Sequence, residues 1–151
     1  MSNLSLESPA FDFGEKIPEK YGYTEENVNP PLRISGVPEG AESLVLVMDD
    51  PDAKPVVGHV FDHWVLYGIP PNTSAIPEGE IPEGSVEGEN DYGSQGYGGP
   101  NPPDRTHTYV FKLYALDTEL GLGPGATKEE VEEAMKGHVL ARDTLEGDYS
   151  P

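Results

Sequence analysis

Runs of hydrophobic residues along the chain predict a protein built mainly from β-strands. The first long run is almost continuously apolar and stops at a turn rich in Asp and Pro, and the third is rich in aromatic and β-branched residues. The three strong strands are predicted at residues 43–48, 61–69 and 108–116. Weaker patterns predict a short strand starting with Leu4 and Leu6, and others at 32–35 and 85–87.

One helix is predicted close to the C-terminus, at about residues 128–140. Thr127 followed by Glu130 has the spacing of a capping box, in which the two residues satisfy each other's backbone N–H groups. The next apolar residues recur at helical spacing and form one hydrophobic face. They are Val131, Ala134, Met135 and Val139. The whole pattern predicts a mostly β fold, an antiparallel β-sandwich with this short helix, as one domain over 1–151.

Glycine and proline mark the turns between these elements. An apolar-Pro-Glu-Gly tetrad occurs at 37–40, 76–79 and 81–84, with irregular spacing that indicates turns and not a structural repeat. Residues 88–104 form a long segment without periodicity, and loops of that length are usually functional or disordered. The aromatic residues Tyr92 and Tyr97 within it favour an ordered loop.

Composition and charge exclude several classes of protein. The chain of 151 residues contains 18 Gly and 16 Pro, too many for an all-helical bundle. Lys and Arg number 9 against 28 Asp and Glu, so the net charge of -19 opposes binding to nucleic acid and stable association with an anionic membrane. We see no apolar stretch long enough to span a bilayer and no signal peptide, and therefore expect a cytoplasmic protein.

No catalytic, cofactor or metal site is evident from the motifs. The chain has no Cys, which removes disulfides, thiolate catalysis and Cys-ligated metals. His59 and His63 are four residues apart, a spacing that converges on a metal only in a helix, whereas these residues lie in or beside a predicted strand. The glycines at 93, 96 and 99 are not followed by a helix, so neither a P-loop nor a dinucleotide fingerprint fits. We predict a protein that is not an enzyme.

Strand alternation nevertheless groups several polar residues. Side chains two apart on a strand share a face, so His107 and Tyr109 share the side of Phe111 and Leu113. Strict alternation places His63 with Val65 and Tyr67, opposite Asp62, Trp64 and Leu66, and it places Asp50 with Leu44, Leu46 and Met48. If the three strands are neighbours, Asp50, His63, His107 and Tyr109 meet at one rim of the core. Such a cluster would offer imidazole and phenol donors to a small anion.

Each of these residues also has a simpler interpretation when taken alone. Asp50 precedes Pro51 and is typical of a turn-capping Asp. His63 on an apolar face is typical of a core histidine whose hydrogen bonds are satisfied. Tyr109 fits a core position with its hydroxyl bonded at the edge. Only their coincidence in space would indicate a site, and coincidence depends on strand pairing.

The same residues lie in segments that resemble the phosphatidylethanolamine-binding protein family, which includes the Raf kinase inhibitor proteins. The segments occur in the family's order, and the likeness continues through 114–117 and 137–141, most similar to the prokaryotic branch. The motifs are LVMDDPDA at 46–53, HW at 63–64, GYGGPNPP at 96–103 and THTY at 106–109.

The resemblance implies two packed antiparallel sheets with a small anion-binding cavity at one end. Matched position by position, the cavity residues are Asp50, His63, His107 and Tyr109. The backbone N–H of Asn101 would face the anion, and Pro51 and Pro102 would shape the walls.

We therefore expect a non-enzymatic protein that binds a phosphate-like or carboxylate anion. Asp50 would favour a protonated imidazole whose N–H groups face the anion, with binding dependent on pH near 6. The net charge would keep the affinity modest and make it improve with added salt. The alternative is a protein-interaction role, the inhibition of a protease or kinase through the 88–104 loop. Acid–base chemistry by Asp50, His63 and His107 is a third hypothesis, for which no nucleophile is evident.

Overall fold

The computed structural model describes residues 3–151 and contains eight strands within them. In chain order they are β1 Ser5–Glu7, β2 Leu32–Ser35, β3 Ser43–Asp50, β4 Phe61–Ile69, β5 Ala75–Ile76, β6 Val86–Glu87, β7 His107–Leu116 and β8 Val139–Tyr149. They form a three-stranded sheet in the order β1-β2-β5 and a five-stranded sheet in the order β6-β4-β3-β7-β8, with every pairing antiparallel. The predicted mostly β fold of two antiparallel sheets is confirmed.

The five-stranded sheet is covered on both faces, which explains why every residue of β3 is buried. One face packs against the three-stranded sheet in a core that includes Leu46, Trp64 and Phe111. The other face packs against a helix in a second core that includes Val47 and Val131. A strand buried on both sides has no polar face, so its sequence reads as a continuous apolar run.

Two α-helices lie among the described residues, α1 at Lys54–Val57 and α2 at Lys128–Met135, and two short 3-10 helices lie at Glu19–Tyr21 and Pro51–Ala53. The predicted capping box at the start of α2 is present: the Glu130 backbone N–H donates to the Thr127 hydroxyl, and the Thr127 backbone N–H donates to the Glu130 carboxylate. None of the helices within residues 3–151 is long and apolar enough to cross a membrane.

The predicted end of this helix, at about residue 140, is wrong. The helix ends at Met135 because Gly137 adopts a left-handed backbone conformation (φ +81°), and Val139 already belongs to β8. β8 pairs with β7 along almost its entire length. β8 carries only a few apolar residues, so its own sequence does not predict a strand. Its hydrogen bonds to β7 stabilise the strand instead.

Candidate functional site

β4, β3 and β7 lie side by side, so the polar ends of the three predicted strands meet. The alternation predicted for β3 and β7 is confirmed: Met48 and Phe111 face the core between the sheets. For β4 it is wrong. Met48 pairs with Trp64 but the next residue, Asp49, pairs with Asp62, so the residue between them is an extra one in a β-bulge.

The bulged residue is His63, and the bulge reverses the alternation of β4 at this point. Trp64 therefore faces the core between the sheets, while Val65 faces the helix side. His63 turns to the same side as Trp64 and lines a cavity together with Phe61. Without the bulge, a His63 side chain on the side of Val65 would point away from Asp50 and Tyr109.

The cavity has a volume of about 270 Å³, and it brings together most of the predicted site residues. Asp50, His63, His107 and Tyr109 form its polar base, and the ring centroids of His63 and Tyr109 are 5.1 Å apart. The remaining lining residues are Ala53, Val56, Val57, Phe61, Tyr92, Asn101, Pro102 and Pro103. Most of the cavity wall is therefore apolar, and the polar groups at its base belong to four side chains.

Three aromatic rings enclose the His63 imidazole. Its centroid lies 4.9 Å from that of Phe61, 5.6 Å from Tyr92 and 5.1 Å from Tyr109. Its Nδ1 lies 2.7 Å from the carbonyl oxygen of Gly98, which can only accept, so Nδ1 carries the proton. Burial lowers the pKa of His63 to about 4. The ring is neutral at physiological pH, and its Nε2 is an acceptor.

His107 lies between two carboxylates. Its Nδ1 is 2.5 Å from Asp50 Oδ2, and its Nε2 is 2.7 Å from Asp104 Oδ1. Burial disfavours the charged ring, but the hydrogen bonds to Asp50 and Asp104 outweigh burial and raise the pKa of His107 above its ordinary value. Both N–H groups of the imidazolium are thus occupied by carboxylates. We predicted that a protonated imidazole would turn its N–H groups to the anion, and the structure contradicts this for both histidines.

The Tyr109 hydroxyl is the unsatisfied group of the site. Tyr109 is fully buried, and its hydroxyl makes no hydrogen bond within residues 3–151. The Asp50 carboxylate and the Asn101 backbone lie near enough to influence its pKa, which burial raises, yet neither contact has the geometry of a hydrogen bond. A buried hydroxyl without a partner costs about 1–3 kcal/mol.

The predicted wall residues separate into two groups. Asn101 and Pro102 line the cavity, as the resemblance implies, whereas Pro51 does not. Pro51 instead begins the 3-10 helix that follows β3, where Asp50 Oδ1 accepts a hydrogen bond from the Asp52 backbone N–H at 2.9 Å. The turn-capping role of Asp50 and its place in the cavity are therefore both real, because its two oxygens serve different partners.

The loop 88–104 forms one side of the cavity. The Gly98 N–H donates to the His63 carbonyl at 2.9 Å, and the Gly98 carbonyl accepts from the His63 ring, so two hydrogen bonds join the loop to β4. The Tyr92 and Tyr97 hydroxyls donate to the backbone carbonyls of Gly99 and Tyr21. The loop is ordered, as predicted. Its role in inhibiting a protease or kinase stays a prediction.

The sequence interpretation missed two features of the site. The first is Asp104, whose carboxylate binds Nε2 of His107. The only sign of this contact in the sequence is that Asp104 lies three residues before His107. On the reverse face of β3 and β4, the Lys128 ammonium lies 2.7 Å from Asp62 Oδ1 and 3.4 Å from Asp49 Oδ2. This ion cluster, with Lys112 2.9 Å from Asp49, joins α2 to the sheet directly behind the cavity.

The cavity base offers a free donor, the Tyr109 hydroxyl, beside the Asn101 backbone, and it offers acceptors on His63 and Asp50. None of the groups of His, Asp and Glu in the described part of the chain is arranged to hold a metal ion.

Comparison with known proteins places the chain in a family. The family model described as "Phosphatidylethanolamine-binding protein" matches residues 7–150. A UPF0098 protein of Methanothermobacter thermautotrophicus is 48% identical over 151 residues, covering 97% of this chain and 98% of that protein. A UPF0098 protein of Pyrococcus abyssi is also 48% identical, covering 94% of this chain and 83% of its own length.

Solved structures agree with the sequence relatives. The crystal structure of a putative phosphatidylethanolamine-binding protein homologue from Chlamydia trachomatis is 40% identical, with a TM-score of 0.93, and covers 100% of this chain and 99% of its own. That of Escherichia coli YbcL is 28% identical, with a TM-score of 0.91, and covers 99% of both chains. The protein belongs to the phosphatidylethanolamine-binding protein family.

Proposed function

We propose that this protein is a non-enzymatic binding protein for a small anionic ligand of the phosphate or carboxylate type, held at the base of the cavity. One observation carries the proposal: the buried Tyr109 hydroxyl faces the cavity without a hydrogen-bond partner in the described chain. Because an unsatisfied buried donor is costly, a ligand oxygen that accepts from it recovers the lost hydrogen bond.

The neighbouring groups support the same interpretation. The Asn101 backbone lies near the Tyr109 hydroxyl and is a second group that could face the ligand. The His107 imidazolium offsets one of the two carboxylates beside it, which reduces the negative charge at the cavity base. The net charge of -19 still repels anions at long range, and we expect a modest affinity that improves as salt screens that repulsion.

Replacing Tyr109 with phenylalanine should separate binding from folding. We expect Tyr109→Phe to bind inorganic phosphate about 10-fold more weakly, because the free donor is lost. Since that hydroxyl has no partner in the described chain, the free energy of unfolding should stay the same or rise by up to about 1 kcal/mol. Isothermal titration calorimetry and chemical denaturation measure the two effects.

His63→Ala provides the companion variant and Tyr114→Phe the control. The His63 ring lies in the cavity, so its removal should also reduce phosphate binding, whereas Tyr114 lies on the opposite face of the sheet and should not matter. Equal binding by the wild type, Tyr109→Phe and His63→Ala would refute the assignment of the ligand to this cavity.

A further inference from the structure

We propose that the cavity selects oxyanions that bring a proton of their own, with inorganic phosphate as the simplest case, over aprotic oxyanions of the same shape, such as sulfate. This inference rests on the proposed function and names the class of ligand for that site. It follows from the balance of hydrogen-bond donors and acceptors at the cavity base.

Two of the polar groups at the base are acceptors. The His63 ring donates through Nδ1 to Gly98, which leaves the Nε2 lone pair of the neutral ring available. The Asp50 carboxylate already accepts from the Asp52 N–H and from His107 Nδ1, yet each carboxylate oxygen has a second lone pair. Asp50 and His63 both line the cavity, so a ligand at its base meets lone pairs on two sides.

Donors are scarce by comparison. The Tyr109 hydroxyl is free and the Asn101 backbone lies beside it, but both N–H groups of the His107 imidazolium are held by carboxylates. Among residues 3–151 no Lys or Arg side chain lines the cavity. A fully deprotonated oxyanion can accept from Tyr109, but it must place its other oxygens against the lone pairs of His63 and Asp50.

A protonated oxyanion removes that conflict. Phosphate keeps at least one O–H at neutral pH, so it can donate to Asp50 or to His63 Nε2 while another of its oxygens accepts from Tyr109. Sulfate has the same tetrahedral shape and no proton to donate. Because a buried acceptor left facing another acceptor is strongly unfavourable, sites that require a ligand hydrogen bond reject analogues that lack it by large factors. We expect phosphate to bind about 100-fold more tightly than sulfate.

The same rule extends to organic phosphates. A phosphodiester has no ionisable proton left at neutral pH, so dimethyl phosphate should bind as poorly as sulfate. A phosphomonoester regains an O–H below its second pKa of about 6, so methyl phosphate should bind more tightly as the pH falls through that value. The His63 pKa of about 4 lies below this range, so the ring keeps its acceptor while the ligand gains its donor.

The test is calorimetric titration of the full chain with phosphate, sulfate and dimethyl phosphate at neutral pH and constant ionic strength. Binding of phosphate with at least a 30-fold preference over the other two anions supports the inference. Equal affinity for phosphate and sulfate overturns it but leaves the proposed anion site standing. Absence of binding by all three anions, and by acetate as a carboxylate, overturns the proposed function itself.

Replacing Asp50 tests whether its carboxylate is the acceptor that disfavours sulfate. In Asp50→Asn the amide can present N–H in place of a carboxylate oxygen, so the preference for phosphate over sulfate should fall to less than about 10-fold. The matched control is Asp12→Asn, which makes the same change in net charge at an exposed position outside the cavity and should keep the preference. An unchanged preference in a folded Asp50→Asn overturns the role of Asp50. If that variant does not fold, the comparison of anions on the wild type still decides the inference.

Discussion

Replacing Lys128 with methionine is expected to lower the free energy of unfolding by about 3–5 kcal/mol, the usual cost of removing one partner from a buried ion pair. Asp49 is 1% exposed and Asp62 5%, and the Lys128 ammonium lies within ion-pair distance of both. Asp62 has no other cation within ion-pair distance among residues 3–151, whereas Asp49 keeps Lys112. Thermal denaturation should show a loss of about 10 °C for a domain of this size.

The pH dependence of this loss of stability distinguishes the contribution of the Lys128 charge from that of its packing. Burial raises the pKa of Asp62 to about 6, above its value in an unfolded chain, so the folded state takes up a proton at this carboxylate as the pH falls. Lys128 lowers this pKa, so its removal should raise it further, and the penalty of the unpaired Asp62 should shrink as the pH falls through that higher folded-state value. A deficit independent of pH would show that the lost packing of the Lys128 stem dominates.

Lys136→Met is the matched control for this experiment. Lys136 follows α2 and pairs with Glu133 at 2.8 Å, but both side chains are about three-quarters exposed. An exposed pair contributes little because solvent screens it, and the change should stay below about 1 kcal/mol. A double variant, Lys128→Met with Asp62→Asn, should recover part of the loss, since it removes the buried charge along with its partner.

His107→Leu is expected to destabilise the protein by about 3 kcal/mol at neutral pH, because it leaves the buried Asp50 carboxylate without its charged partner. Leucine is similar in size to histidine but carries no charge and forms no hydrogen bond, so the loss reports on charge and hydrogen bonding. Adding Asp50→Asn to the variant should restore part of the stability. Failure of that rescue would contradict the pairing of Asp50 with His107.

The wild type should carry a pH signature of this pair. The carboxylates of Asp50 and Asp104 raise the folded-state pKa of His107 against the effect of burial, so the folded protein holds this proton more tightly than the unfolded chain. The resulting stabilisation is fully present below the unfolded value of about 6.5 and is lost as the pH rises through the folded pKa. His107→Leu should lack that slope. His138→Leu, which removes an exposed pair with Asp117, should keep it.

Much of the site followed from local sequence. The alternation of β3 and β7 placed Asp50, His107 and Tyr109 on the inner face correctly, because residues two apart on a regular strand share a side. The capping box at Thr127 marked the start of α2 correctly for a similar reason, since a cap is a contact between residues three apart. Resemblance to the family added Asn101 and Pro102 to the cavity wall, where the structure finds both.

The errors arose where a distant partner decides the structure. Helical spacing alone extends α2 as far as Val139, whose actual neighbour is on β7. The side of His63 was wrong because a bulge depends on how β4 pairs with β3, and strict alternation has no place for an extra residue.

The sequence by itself determined the strands, the cap of the helix, the acidic charge and the set of polar residues from which a site could form. Each of these depends on neighbours a few positions apart or on composition alone. Only the tertiary structure decided which of these residues are acceptors and which is a free donor. His63 faces the cavity through a bulge, His107 gives both N–H groups to carboxylates, and Lys128 reaches an aspartate 79 positions away. Protonation and hydrogen-bond direction depend on burial and on the partner across the sheet, and neither is present in a local pattern.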